Sequence, residues 1–74
     1  ETPSQSQKIG YKELMKLVMQ LPSGFRTVFN MSVIEGYSHK EIGDILGISE
    51  STSRTQLSRA RTWLQQKIKE LENV

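Results

Sequence analysis

A chain of 74 residues has room for one small domain, and a chain this short buries only about 60% of its unfolded surface on folding. Without cysteine it has neither disulfides nor thiolate metal sites to supplement its core, which fits a reducing cytoplasm and calls for compact, all-helical packing. A single histidine, the lack of clustered carboxylates and the lack of a phosphate-cradling glycine loop argue against an enzyme, a metal centre, a cofactor or a small-molecule substrate. No apolar run approaches the roughly 20 residues of a membrane span, and no signal peptide is visible, so no membrane partner is expected. The Glu-Thr-Pro start, without an initiator methionine, suggests a piece of a longer protein.

The net charge of +2 says little until it is placed. Residues 1–48 carry five basic and five acidic side chains, whereas residues 49–74 carry five basic and three acidic ones. The whole excess therefore lies in the last third of the chain, and between Ser51 and Lys69 there is no acidic residue. A local basic stripe of this kind suits a phosphate backbone.

In chain order, residues 1–10 (ETPSQSQKIG) are polar and aperiodic and read as a linker or disordered tail; residues 11–74 read as the domain. From Tyr11, Leu14, Leu17, Val18 and Leu21 have the i, i+3, i+4, i+7 spacing of a helix with one apolar stripe, and Met15 and Met19 lie beside it. Leu21-Pro22-Ser23 breaks that pattern, because proline disfavours helix at the residue before it and is accepted in the first turn of a new one. A second helix is expected from about Ser23 to Glu35. Phe25, Val28, Phe29, Met31, Val33 and Ile34 cover most of its circumference, which places it at the centre of the fold. The first helix then takes one flank and the remaining helices the other, and Arg26 points outward without a role.

Gly36-Tyr37-Ser38 ends the second helix and begins a third. Ser38 is an N-cap with Glu41 three residues on, the spacing of a capping box, and Tyr37 is placed to staple against Ile42. The third helix runs from His39 to Leu46 with Ile42, Ile45 and Leu46 apolar. His39 has no partner for a metal site and reads as a surface residue near phosphate. Gly47 stops this helix, Ile48 plugs the turn, and Ser49 caps the next helix with Glu50 in its first turn. Gly43 supplies the small residue where the two helices cross. This is the sequence form of a helix-turn-helix.

The last helix continues through Glu72, roughly 23 residues or about 35 Å at 1.5 Å per residue. Ser53, Leu57, Ala60 and Leu64 fall on one side of it. Ser51, Arg54, Thr55, Ser58, Arg59 and Thr62 fall on the other, with Arg61 at the border. Such a helix, apolar on one face and rich in Arg, Ser and Thr on the other, suits a DNA major groove, where arginine forks to guanine and hydroxyls meet bases or phosphates. Only its first half fits a groove; the second, from Trp63 to Leu71, must pack back on the first helix or bind something else. Trp63 lies off the stripe, so either partial exposure or packing against the first helix is open to it. The expected architecture is all-α: four helices, a helix-turn-helix and a long C-terminal recognition helix.

With these residues placed, the stretch from Leu21 to Leu64 resembles the C-terminal domain, region four, of the sigma-70 family of RNA polymerase sigma factors, and most of all the extracytoplasmic-function group. The shared signals are Leu21-Pro22, Arg26-x-Val28-Phe29, Ile34-Glu35-Gly36-Tyr37-Ser38, Glu41-Ile42, Leu46-Gly47-Ile48-Ser49, Thr52 and Leu57-Ser58-Arg59-Ala60-Arg61. The resemblance implies recognition of double-stranded promoter DNA at the −35 element, docking on the β flap of the RNA polymerase core, and cover by an anti-sigma factor when the regulon is off. It implies base contacts from Arg54, Thr55, Ser58 and Arg59, and phosphate contacts from Ser49, Ser51, Thr52, Arg61 and Lys40. Residues 1–10 would then be the tether from a preceding domain. Ser51 stands where the family often has glycine, Ser53 where it has valine, and Gln56 where a basic residue is common. Ser53 would put a hydroxyl on the core face, where it needs a partner or costs stability.

Two other readings share these features. A four-helix response-regulator output domain would have the same Gly47 turn and the Glu41-Ile42 pattern, but would bind inverted repeats as a dimer. A module serving chiefly to dock on polymerase or an inhibitor would use the same helices with little DNA affinity of its own.

Overall fold

The computed structural model describes residues 10–73. Four α-helices follow in order: α1 (Tyr11–Gln20), α2 (Ser23–Phe29), α3 (His39–Leu46) and α4 (Glu50–Glu72). Every regular element among the described residues is helical, and the fold is all-α as expected. The tail expected over residues 1–10 lies, Gly10 apart, outside the described residues.

Each helix start and stop follows from local chemistry. At the head of α3 the Ser38 hydroxyl accepts from the Glu41 amide at 3.1 Å, and the Glu41 carboxylate accepts from the Ser38 amide at 2.8 Å, so the capping box is complete. At its end Gly47 takes the left-handed conformation, φ 73°, and the Ile48 amide closes onto the Gly43 carbonyl at 3.0 Å. Ser49 caps α4, accepting from the Thr52 amide at 2.9 Å. A Cβ at Gly43 would lie 2.6 Å from the Ile48 carbonyl oxygen, so the turn folds back against α3 at a distance that only glycine permits.

The second helix departs from the expectation of a regular helix to Glu35. After Phe29 the backbone widens into a π-helical segment, Asn30–Ile34, and the Glu35 amide donates to the Asn30 carbonyl five residues back at 2.9 Å. Val33 and Ile34 on this segment are at the surface, 47% and 52% exposed, while Val28 and Phe29 stay buried. Apolar coverage all round therefore does not mean burial all round here. Nor does α2 stand at the centre. The element against which α1, α2 and α3 all pack is α4. Its inner stripe alternates small and large residues, Ser53, Leu57, Ala60 and Leu64, which lets neighbouring helices approach closely.

Leu17, Val18, Leu21, Val28, Phe29, Ile42, Leu57, Ala60 and Leu64 form the core, with Met15, Phe25, Met31, Ile48, Trp63 and Ile68 packed around it. Trp63 thus joins the edge of the core, with the Lys67 ammonium 5.4 Å from its ring centre. On α3 Ile42 and Gly43 are buried; Ile45 is 58% exposed and Leu46 faces solvent as well. Arg26 is half-buried rather than idle, and its Nη1 donates to the Met19 carbonyl at 2.7 Å, tying the last turn of α1 to α2.

Candidate nucleic-acid interface

The two faces of α4 separate as its sequence periodicity predicts. Ser53, Leu57, Ala60 and Leu64 are buried, and Ser51, Arg54, Thr55, Ser58, Arg59, Arg61 and Thr62 are all exposed. The Ser49 cap and the Gly47 turn fix where α4 begins, and Gly43 fixes how closely α3 lies against it. The polar face is therefore carried by a rigid pair of helices.

That face has two zones. A shallow depression beside the start of α3 brings Arg54, Ser58 and Arg61 together with His39. Thr55 and Arg59 do not line it; Arg59 is five residues beyond Arg54, roughly 140° further round the helix. Lys40 and the cap residues Ser49, Ser51 and Thr52 lie outside the depression too.

Several of these side chains already have partners. The Arg54 guanidinium pairs with the Glu50 carboxylate one turn earlier, both side chains well exposed. Lys40 lies 3.6 Å from Asp44 in a looser exposed pair. The Ser49 hydroxyl accepts from the Thr52 amide and donates to Thr52 Oγ1 at 2.8 Å, which leaves the Thr52 hydroxyl hydrogen free. Among the described residues, no side-chain hydrogen bond or ion pair engages the side chains of Ser51, Thr55, Ser58, Arg59 or Arg61.

Three relationships here escape the linear pattern or were passed over in it. His39 is half-buried, not a free surface residue, and its Nδ1 lies 2.8 Å from the Ser53 hydroxyl. Ser53 is 0% exposed, so the hydroxyl on the core face has its partner. The Glu50–Arg54 pair was legible from its i,i+4 spacing. The Gln56 amide oxygen, by contrast, is buried and has no hydrogen-bond partner among the described residues.

No helix among the described residues is long and apolar enough to cross a membrane. No curated protein and no solved structure matches the chain. The model of the family described as Sigma-70, region 4, matches residues 11–64, which takes in α1 to α3, the turn and the first two thirds of α4. A response-regulator output domain is thereby set aside. The family is a DNA-binding regulatory one rather than a catalytic one, and its members bind promoter DNA and RNA polymerase. With the match running through the helix-turn-helix and the exposed face of α4, the chain belongs to the sigma-70 region 4 family, the DNA-binding module by which sigma factors recognise promoters.

Proposed function

We propose that this domain reads the −35 element of promoters as part of an extracytoplasmic-function sigma factor in the bacterial cytoplasm. The observation that carries the reading is the exposed, arginine- and hydroxyl-bearing face of α4 opposite a stripe buried against the other three helices. Arg54, Thr55, Ser58 and Arg59 are the base-contacting residues in this reading. They span roughly 140° of the outer face, a width that suits a helix lying in the groove with base edges on both its flanks. Ser51, Thr52, Arg61 and Lys40 meet phosphates, the free hydroxyl hydrogen of Thr52 being a ready donor. Ser49 joins them only by exchanging the bond it gives to Thr52.

A second role, docking on the β flap of polymerase and on an anti-sigma factor, draws support from exposed apolar side chains of adjoining elements. Val33 and Ile34 on the π-helical segment and Ile45 and Leu46 on α3 leave apolar surface in water that a protein partner would cover. DNA reading and docking differ in salt dependence. Duplex binding measured across a salt series should fall with a log–log slope of several if α4 and its flanks neutralise phosphates. A flat salt response alongside retained flap binding would make docking the chief role.

A further inference from the structure

Two arginines, a serine and the imidazole of His39 surround the depression between the start of α3 and the middle of α4, and no carboxylate lines it. The imidazole is not free to turn. Its Nδ1 lies 2.8 Å from the hydroxyl of Ser53, which is completely buried. That hydroxyl has no other hydrogen-bond partner among the described residues, and giving its hydrogen to Nδ1 is the arrangement that leaves no buried donor unsatisfied. An imidazole that accepts at Nδ1 carries its proton at Nε2. The other end of the ring is then an oriented N–H donor, and it has no acceptor among the described residues.

We infer that His39 is a DNA-backbone ligand: its Nε2–H, aimed by Ser53, donates to a phosphodiester oxygen that Arg61 also faces across the depression. The inference rests on the reading of α4 as the recognition helix. A phosphate is the fitting ligand rather than a base edge because His39 opens α3, and the first helix of a helix-turn-helix crosses the backbone while the second enters the groove. The acceptor-only character of a phosphodiester oxygen suits the donors beside Leu57 in the depression, chiefly the guanidinium of Arg61, unpaired among the described residues, Arg54 being paired with Glu50. Ser53 acts as a positioning residue, since it holds the ring and its tautomer without touching the ligand.

The test is nuclear magnetic resonance of the 15N-labelled chain with a short duplex enriched by selection on it, alongside the same duplex carrying a methylphosphonate at one backbone position at a time. The inference predicts a shift of the His39 Nε2 resonance on binding, abolished by methylphosphonate at a single position that leaves the α4 amide shifts in place. It also predicts that His39→Ala weakens binding to the native duplex three- to tenfold and binding to that one modified duplex not at all. Ser53→Ala keeps the ring and should lose part of the affinity; the wild-type resonance needs no variant to fold. An imidazole unmoved at saturating duplex while the α4 amides shift would overturn this inference alone. Failure to enrich any duplex would remove the reading of α4 and this inference with it.

Discussion

His39 and Ser53, 14 residues apart in sequence, share a hydrogen bond of 2.8 Å across the joint between α3 and α4. It is a polar link inside an otherwise apolar contact, flanked by Ile42 and Leu57, both buried. Ser53→Ala should therefore cost about 1–2 kcal/mol, because it leaves the half-buried Nδ1 without a partner. In urea denaturation, Ser53→Ala and His39→Ala together should cost less than the sum of the two single changes, with a coupling of about 1 kcal/mol. Strict additivity would mean that the bond does nothing for stability.

Gly43 should resist replacement more than its helical position suggests. Alanine in a helix interior gains about 1 kcal/mol over glycine from propensity alone. At Gly43 the added Cβ would meet the Ile48 carbonyl oxygen at 2.6 Å, and that oxygen belongs to backbone held by the Gly47 turn. We expect Gly43→Ala to destabilise by about 1–3 kcal/mol, the range for overpacking a close contact. A stabilised variant on chemical denaturation would show that the turn can move away.

Glu50 sets the terms on which Arg54 is available. An exposed i,i+4 pair of this kind contributes only about 0.2–0.5 kcal/mol to the helix, so Glu50→Gln should leave the unfolding midpoint nearly unchanged. It should raise affinity for DNA several-fold, by removing a negative charge from the phosphate-facing side and releasing the guanidinium. Unchanged or weaker binding in a duplex titration would indicate that the carboxylate itself takes part in reading a base.

The three arginines of α4 should separate by kind. Arg54→Ala and Arg59→Ala are each expected to cost about 1–3 kcal/mol on the preferred site and to relax base choice at separate positions. Arg61→Ala should weaken all sequences evenly and lower the salt slope by about 1. Binding measured on a panel of single-base variants distinguishes these patterns. Equal, small losses for all three on every duplex would contradict the assignment of a reading face.

What the chain spells out locally proved readable, and what depends on folding did not. The capping box of Ser38 and Glu41, the Gly47 stop, the Ser49 cap and the division of α4 into two faces are all set by residues within a few positions of one another. The π-helical segment left no such mark, since a shift from four- to five-residue backbone pairing needs no particular side chain. Val33, Ile34, Ile45 and Leu46 have the spacing of core residues yet stay exposed, because periodicity shows which residues share a face but not whether another element covers it. Ser53 was legible as a hydroxyl needing a partner, but not His39 as that partner, because only the crossing of α3 over α4 brings them together. Which of the exposed α4 residues meet DNA is a property of the complex.

The central claim is that the outer face of α4 reads one asymmetric promoter site. Selection of duplexes from a random pool, by this chain alone and within a polymerase-bound sigma factor, tests it most directly. The account predicts enrichment of a single short motif without dyad symmetry, lost in Arg54→Ala and Arg59→Ala. Enrichment of an inverted repeat, or of no motif in either setting while the polymerase flap is still bound, would contradict it.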